Sequence, residues 1–558
     1  MSEGIFQARI VSSLEKCFCD EPVQAHPVMK KASMLRNERF SFQLVYRDER
    51  TGVLPWENYT EVEAHVPEGL CCRIRSVEQV PVMMPVYPHS YDDNYLRTTP
   101  GLYPDPLLPL RYNGQIRPQP NVTFALWIDI TAEKETPAGD YPVTLRLRQK
   151  TSGTILAEET LNLTVIAADL PEQTLLYTQW FHADCLADYY NVPVFSERHW
   201  EIIEHFVKTA AETGMNMLLT PIFTPPLDTV VGGERPTVQL LDITRENGEY
   251  RFGFEKLDRW VEMARRCGIT HFEMAHLFTQ WGAKHAPKIM VEENGRLVKA
   301  FGWETDAAGD EYAQFLRAML PALTAHLKEL GIAQNCIFHI SDEPSEEMLD
   351  SYVSARNIAA PLLEGFPIMD ALSNITFYKS GAVEHPIPAN NHIEPFLEAN
   401  IPGLWTYYCC SQNKEVSNRF VAMPSARTRI LGTQLYKYNI AGFLHWGYNF
   451  YYSQYSIDRI NPFLTDTGDY FAPAGDPFVV YPAQDGTPLE TLRLLVFADA
   501  IQDMRAMQLC EQLCGHQTVL DLIEEGSEKP LTFSAYPHDA AWLLALREKI
   551  NAAIAKAL

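Results

Sequence analysis

Asn335-Cys336-Ile337-Phe338-His339-Ile340-Ser341-Asp342-Glu343-Pro344 is the stretch on which the reading of this chain turns. A short apolar run closes on two carboxylic acids, and Pro344 then prevents a strand ladder from continuing. Ser345, with Glu346 and Glu347 behind it, is a suitable helix start. The stretch therefore reads as one strand–helix unit with acids at the C-terminal end of the strand, where (β/α)8 barrels keep their reacting groups. Adjacent acids also occur at Asp20-Glu21, Glu158-Glu159, Glu292-Glu293 and Glu524-Glu525, all readable as surface pairs. Placement at a buried strand end, and not the dipeptide itself, singles out Asp342 and Glu343.

Working outward, the same grammar recurs from Pro171 onward. Strand candidates are Leu176 to Trp180, Met215 to Thr220, Thr270 to Ala275, Cys336 to Ile340, Phe366 to Ala371, Gly403 to Tyr407 and Ile440 to Trp446, with Phe478 to Tyr481 as an eighth. Amphipathic helices separate several of them. One opens at Ser196 and buries Trp200, Ile203, Phe206 and Val207. Another runs from Glu311 to Leu330, where Pro321 is expected to kink or divide it. Short buried strands alternating with helices imply a parallel sheet. The number of units, with no glycine-rich phosphate loop, favours a (β/α)8 TIM-type barrel over an open doubly wound sheet.

Ahead of Pro171 the pattern is β. Phe40 to Tyr46, Phe124 to Ile130, Tyr141 to Arg148 and Leu161 to Ile166 read as strands with no helix between them, the mark of a β-sandwich. Pro81 to Pro120, rich in Pro and Tyr, reads as a long irregular connection. The expected organisation is an N-terminal β-sandwich over residues 1–170 and a catalytic barrel with C-terminal helices over 171–558.

Across 558 residues, 46% hydrophobic and 21% charged is the mix of a folded globular protein. A net charge of −25 with no basic cluster argues against nucleic acid as a partner. No apolar run is long enough to span a bilayer, and the start Met1-Ser2-Glu3-Gly4-Ile5-Phe6-Gln7 has no signal-peptide pattern. Eleven Cys without metal-ligand spacing read as free thiols, so the expected location is the cytoplasm.

The other strand ends are rich in rings. They present Trp180, His182 and Asp184 after the first strand, His276 after the third, Trp405 and Tyr407 at the sixth, and His445, Trp446, Tyr448 and Asn449 at the seventh. Aromatic faces stack on the apolar face of a sugar while His, Asp and Asn bind hydroxyls, so these ten residues are the candidate carbohydrate-binding set. His182, Asp184 and His276 form no recognisable metal motif, and neither a metal nor a cofactor is expected. Neighbouring acids are poorly placed to act on opposite faces of a sugar ring as acid and nucleophile. They suit substrate assistance: one acid protonates the leaving oxygen, and the other orients a 2-acetamido group whose oxygen attacks. Two alternatives stay open. One is a glycosidase for another sugar, with Asp184 or Glu273 as a distant second carboxylate; the other is a carbohydrate-binding barrel without catalysis.

At these residues the chain resembles glycoside hydrolase family 123. The likeness spans the sandwich, the strand ending His339-Ile340-Ser341-Asp342-Glu343-Pro344, the stretch from His445 to Tyr452, and Leu489 to Met504 with Arg493 and Asp503. The resemblance implies retaining exo-β-N-acetylgalactosaminidase activity through an oxazolinium intermediate. In that scheme Glu343 is the general acid/base and Asp342 orients the acetamido group.

Overall fold

The computed structural model describes residues 5–50, 58–526 and 529–558, so Met1 to Gly4 of the N-terminal start lie outside it. The chain is a mixed α/β protein. Its first part is two five-stranded sheets. One has the order Phe6–Ser12, Glu38–Asp48, Thr123–Ala132, Leu70–Val82, Gly101–Pro109, and the other Lys31–Arg36, Ile155–Asp169, Gly139–Gln149, Thr60–His65, Gln115–Ile116. Strict alternation buries Val143, Leu145 and Leu147 against Phe42, Leu44 and Ile128 of the facing sheet, which makes one shared core. The expected irregular connection from Pro81 to Pro120 contains a nine-residue strand, Gly101–Pro109. Three prolines are tolerated there because this strand is the edge of its sheet.

Beside a four-stranded and a two-stranded sheet, the second part holds eight short strands: β1 (Leu176–Gln179), β2 (Met217–Thr220), β3 (His271–Met274), β4 (Cys336–Phe338), β5 (Met369–Ala371), β6 (His385–Ile387), β7 (Trp405–Tyr407) and β8 (Gly442–His445). They pair in parallel as β2–β3–β4, β5–β6 and β7–β8–β1. Isolated parallel bridges, Phe338 to Ile368 and Ala389 to Tyr407, link these groups. Between β1 and β2 the contact is through Asn216, whose N–H donates to the Tyr177 carbonyl at 3.1 Å and whose Oδ1 accepts from the Tyr177 N–H at 2.8 Å. No sheet among the described residues is closed by continuous ladders. Leu219, Ile337, Met369, Ile387, Trp405 and Leu444 nevertheless pack in one apolar cluster. In register between Leu219 and Ile337 stands Glu273, a carboxylate at an otherwise apolar position.

Phe478 to Tyr481 is not the eighth strand. Its place is taken by β6, only three residues long with a proline at its centre, which periodicity does not register. The apolar run at Phe478 is instead buried against the segment after β8, where the Val479 N–H donates to the Tyr448 carbonyl at 3.0 Å. Pro321 does not divide its helix, which runs from Asp310 to Glu329.

The helices Leu492–Cys514 and Ala540–Ala557 pack on each other, and the second also packs on Lys31–Arg36 and Ile155–Asp169. A buried ion pair joins the second helix to the first sheets, Arg547 to Glu38 at 2.7 Å, while Asp503 of the first helix meets Arg547 at 2.8 Å and Arg429 of the helix Ser425–Lys437 at 2.7 Å. Arg493 holds Asp105 through two 2.8 Å bonds. No helix among the described residues is long and apolar enough to cross a membrane.

Candidate active site

The end of β4 is pinned at several points. Asp370, in β5, accepts the N–H groups of Ile340 (2.9 Å) and Ser341 (3.3 Å) on one carboxylate oxygen. The Trp281 N–H donates to the Asp342 carbonyl, and the Glu343 N–H donates to the Ala371 carbonyl, each at 3.0 Å. Glu343 itself has φ 41°, the left-handed region that a residue with a Cβ enters at a cost. Both neighbouring strand ends thus hold a strained turn that turns two carboxyl groups into the same cleft.

That cleft opens to solvent. Asp342, Glu343, Trp180, Tyr407 and Trp446 line it, together with Asp228, Gln280, Trp281, the neighbouring Cys409 and Cys410, and Phe471. Glu343 is exposed, and the Tyr407 hydroxyl donates to its carboxylate. Asp342 keeps an open edge on the cleft but is otherwise enclosed. Burial first, and then the adjacent Glu343 charge, push its carboxyl well above the usual range.

Beneath the pair lies a buried ionic chain. His339 Nε2 is 2.6 Å from Glu273, and Nδ1 is 3.5 Å from Asp370. Burial opposes a charge on this ring, but Asp370 and Glu273 outweigh it and raise its pKa to about 10. His339 is therefore an imidazolium. Glu273 also accepts from Trp180 Nε1 and Thr178 Oγ1, both at 2.7 Å. His276 stacks on His339 at 4.5 Å and is held neutral by burial and by the His339 charge. His276, His339 and Asp370 bring possible ligand atoms within 4.8 Å of one another, the set to consider for a metal. Flanked by two carboxylates, His339 forms with them a buried ion network beneath the acid pair.

Of the ten ring and polar residues read as sugar-binding, Trp180, Tyr407 and Trp446 line the cleft, and seven do not. His182 and Asp184 are buried around Arg235, which bonds Asp184 through Nε at 2.6 Å and Nη2 at 2.8 Å and His182 Nδ1 at 3.1 Å. The Asn449 side chain accepts from the His182 N–H at 2.9 Å and donates to its carbonyl at 3.0 Å. His445 meets Arg419 at 2.9 Å, Tyr448 reaches the Phe206 carbonyl at 3.0 Å, and Trp405 packs on Gly442 inside the strand ring. His276 is the stacked ring described above. Glu273 and Asp184, the two carboxylates considered as distant partners, are both fully committed inside the protein.

Asp228 was not singled out from the sequence. It follows β2 across a proline-rich loop, and applying the strand-end rule to β2 with a longer reach would have found it. Its geometry is fixed on every side. Its N–H donates to Gln280 Oε1 at 2.6 Å, its Oδ2 accepts from the Tyr455 N–H at 3.1 Å, and its carbonyl accepts from Ser456 Oγ at 2.7 Å. It too has a left-handed backbone, φ 42°. Burial raises its carboxyl to about 6.

Residues 180–510, which contain every one of these groups, match the model of the glycoside hydrolase 123 catalytic domain. The chain belongs to glycoside hydrolase family 123. Its fold is similar to that of a family 123 glycoside hydrolase from Clostridium perfringens, a protein described for glycolipid glycan hydrolysis. The two share a TM-score of 0.73 and 15% identity, with 98% of each chain covered. A family 39 glycoside hydrolase from Bacteroides cellulosilyticus gives a TM-score of 0.32 at 11% identity, covering 85% of this chain and 81% of that one. No curated protein sequence matches. Asp342 and Glu343 fall within the matched residues and line the cleft.

Proposed function

We propose that this family 123 chain is a retaining exo-β-N-acetylhexosaminidase, with N-acetylgalactosamine as its preferred sugar, working by substrate assistance. The observation that carries this reading is the adjacency of Asp342 and Glu343 on one wall of the cleft, beside Trp180, Tyr407 and Trp446. Acids joined in sequence cannot flank both faces of the scissile bond, so the attacking atom is best supplied by the substrate. Glu343 donates its proton to the glycosidic oxygen as the 2-acetamido oxygen closes on the anomeric carbon. Asp342 accepts the acetamido N–H and stabilises the charge of the resulting oxazolinium ion. A water then opens that ion and returns its proton to Glu343, leaving the β-anomer. The raised carboxyl of Asp342 fits this sequence: it has no cation partner, and an incoming acetamido N–H favours its anion.

We read the eight parallel strands as a (β/α)8 barrel whose ladders are interrupted. We read residues 1–170 as a sandwich domain ahead of a catalytic unit over 171–558, acting on carbohydrate in the cytoplasm. Asp228 favours a second reading. For a sugar without the acetamido group it would serve as the second carboxylate, in place of the committed Asp184 and Glu273. Aryl β-glycosides with and without a 2-acetamido group decide between the two, with NMR of the fresh hydrolysate. Hydrolysis confined to the acetamido sugars, with β-product first, supports substrate assistance. Equal rates without that group, or α-product first, refute it.

A further inference from the structure

We propose that the cleft is built to take an uncharged sugar and to refuse one carrying a sulfate or carboxylate, and that Asp228 enforces this choice. The inference rests on reading this cleft as the glycosidase site. It adds a substrate class and a specificity residue to that reading.

The argument starts from charge. Asp228, Asp342 and Glu343 all line the cleft, and no Lys, Arg or His does so among the described residues. Two cations behind the wall already have carboxylate partners. Arg235 is paired to Asp184 at 2.6 Å, with both side chains almost wholly buried. His339 lies between Glu273 and Asp370, so that trio carries net negative charge. An anionic substituent in the cleft would therefore meet carboxylates with no counter-charge in the lining, a like-charge juxtaposition that disfavours binding. A site for acidic sugars needs the opposite lining, with Arg or Lys donors to the anion.

Asp342 and Glu343 are committed to the reacting atoms, which leaves Asp228 to meet the rest of the sugar. Its Oδ2 is taken by the Tyr455 N–H, while Oδ1 has no donor among the described residues and belongs to a cleft-lining side chain. Leu227, immediately before it, is tied through its carbonyl to Arg235 at 2.9 Å. The carboxylate is thus a fixed acceptor: it rewards a hydroxyl hydrogen and repels an anion placed at the same point. The His182–Asp184–Arg235 group acquires a role here, since it anchors the loop that carries Asp228.

The test compares kcat/KM for a neutral 4-nitrophenyl β-N-acetylhexosaminide with that for its 4-O-sulfated and 6-O-sulfated forms. Wild type and Asp228→Asn are measured side by side, with Asp228→Ser as a second variant if Asn does not fold. Asn keeps the size of the side chain and an oxygen for Tyr455, and removes the charge. The expected result is that wild type disfavours at least one sulfated form by on the order of 10²-fold, and that the variant narrows that ratio at least tenfold. Because the readout is a ratio, a loss shared by both substrates cancels. Equal wild-type rates on neutral and both sulfated sugars overturn the proposal, as does a ratio unchanged in the variant. Loss of neutral-sugar turnover by about 10⁴-fold or more would make Asp228 a reacting group and would also overturn it. If the fastest neutral substrate lacks a 2-acetamido group, the hexosaminidase reading fails alone, and the same ratio is measured on that sugar.

Discussion

Two groups of carboxylates in this protein are handled in opposite ways. At the junction between the first sheets and the closing helices, Glu38 and Asp503 sit fully buried between Arg547 and Arg429, at distances of 2.7–2.8 Å. Burial would raise Asp503, but Arg429 and Arg547 outweigh it and hold its carboxyl below the usual range. In the cleft, Asp228 and Asp342 have no such partner, and both carboxyls are raised. The difference teaches how to tell scaffold from chemistry. Asp503, with two dedicated cations, has its proton affinity lowered and its geometry spent on cohesion, whereas burial still raises Glu38, which has Arg547 alone. An acid kept from cations stays ready to hold a proton or a hydroxyl, at a cost in stability.

Substitutions can break or sharpen this contrast. The largest effect is expected for Glu343→Gln, which should lower kcat by about 10²–10⁴-fold on aryl glycosides with poor leaving groups and far less on good ones. Equal losses on both would remove Glu343 from the acid role. At the junction, Arg547→Ala leaves Glu38 and Asp503 short of a buried cation and should cost about 3–5 kcal/mol of stability in a denaturant titration. Its kcat under folding conditions should stay near wild type; a catalytic loss there would blur the distinction. Asp342→Asn should cost on the order of 10²–10³ in kcat with a smaller change in KM, the range for one lost electrostatic contact to the transition state.

The smallest effect has the opposite sign. Asp228 has a folded-state pKa of about 6 against an ordinary value of 3.8. The folded state binds the extra proton in that window, so stability falls as pH rises from about 4 to 6, and the full penalty persists above it. Asp228→Asn should therefore be more stable than wild type at pH 7, by up to about 2 kcal/mol after allowing for the open edge of the site. The gap should close near pH 4. Thermal melts at the two pH values check this, and a gap that stays constant with pH would mean that the charge on Asp228 is not the cause.

How much of this was legible beforehand differs from element to element. The run from Cys336 to Pro344 announced its strand and its acids, because an apolar stretch, two carboxyls and a proline leave few other arrangements. Val143, Leu145 and Leu147 announced theirs by period. β6 did not, because three residues with a central proline carry no pattern. The rings and polar groups at the strand ends were visible as a set, yet sequence could not separate Trp180, Tyr407 and Trp446, which face the cleft, from Trp405, His445, Tyr448 and Asn449, which do not. Successive residues at a strand end point in different directions, and the loop conformation decides which of them reaches the opening.

The sequence by itself determined that strands and helices mix in this chain, its family, and that Asp342 and Glu343 follow a buried strand, since these rest on local pattern and on a motif a few residues long. Only the tertiary structure decided which carboxylates are free. Asp184, Glu273 and Asp503 look no different from Asp228 in the sequence, and each is silenced by partners distant in the chain: Arg235, His339, and Arg429 with Arg547. A carboxyl acquires its chemistry from the charges and the solvent that the fold brings to it, and those are properties of three-dimensional neighbours.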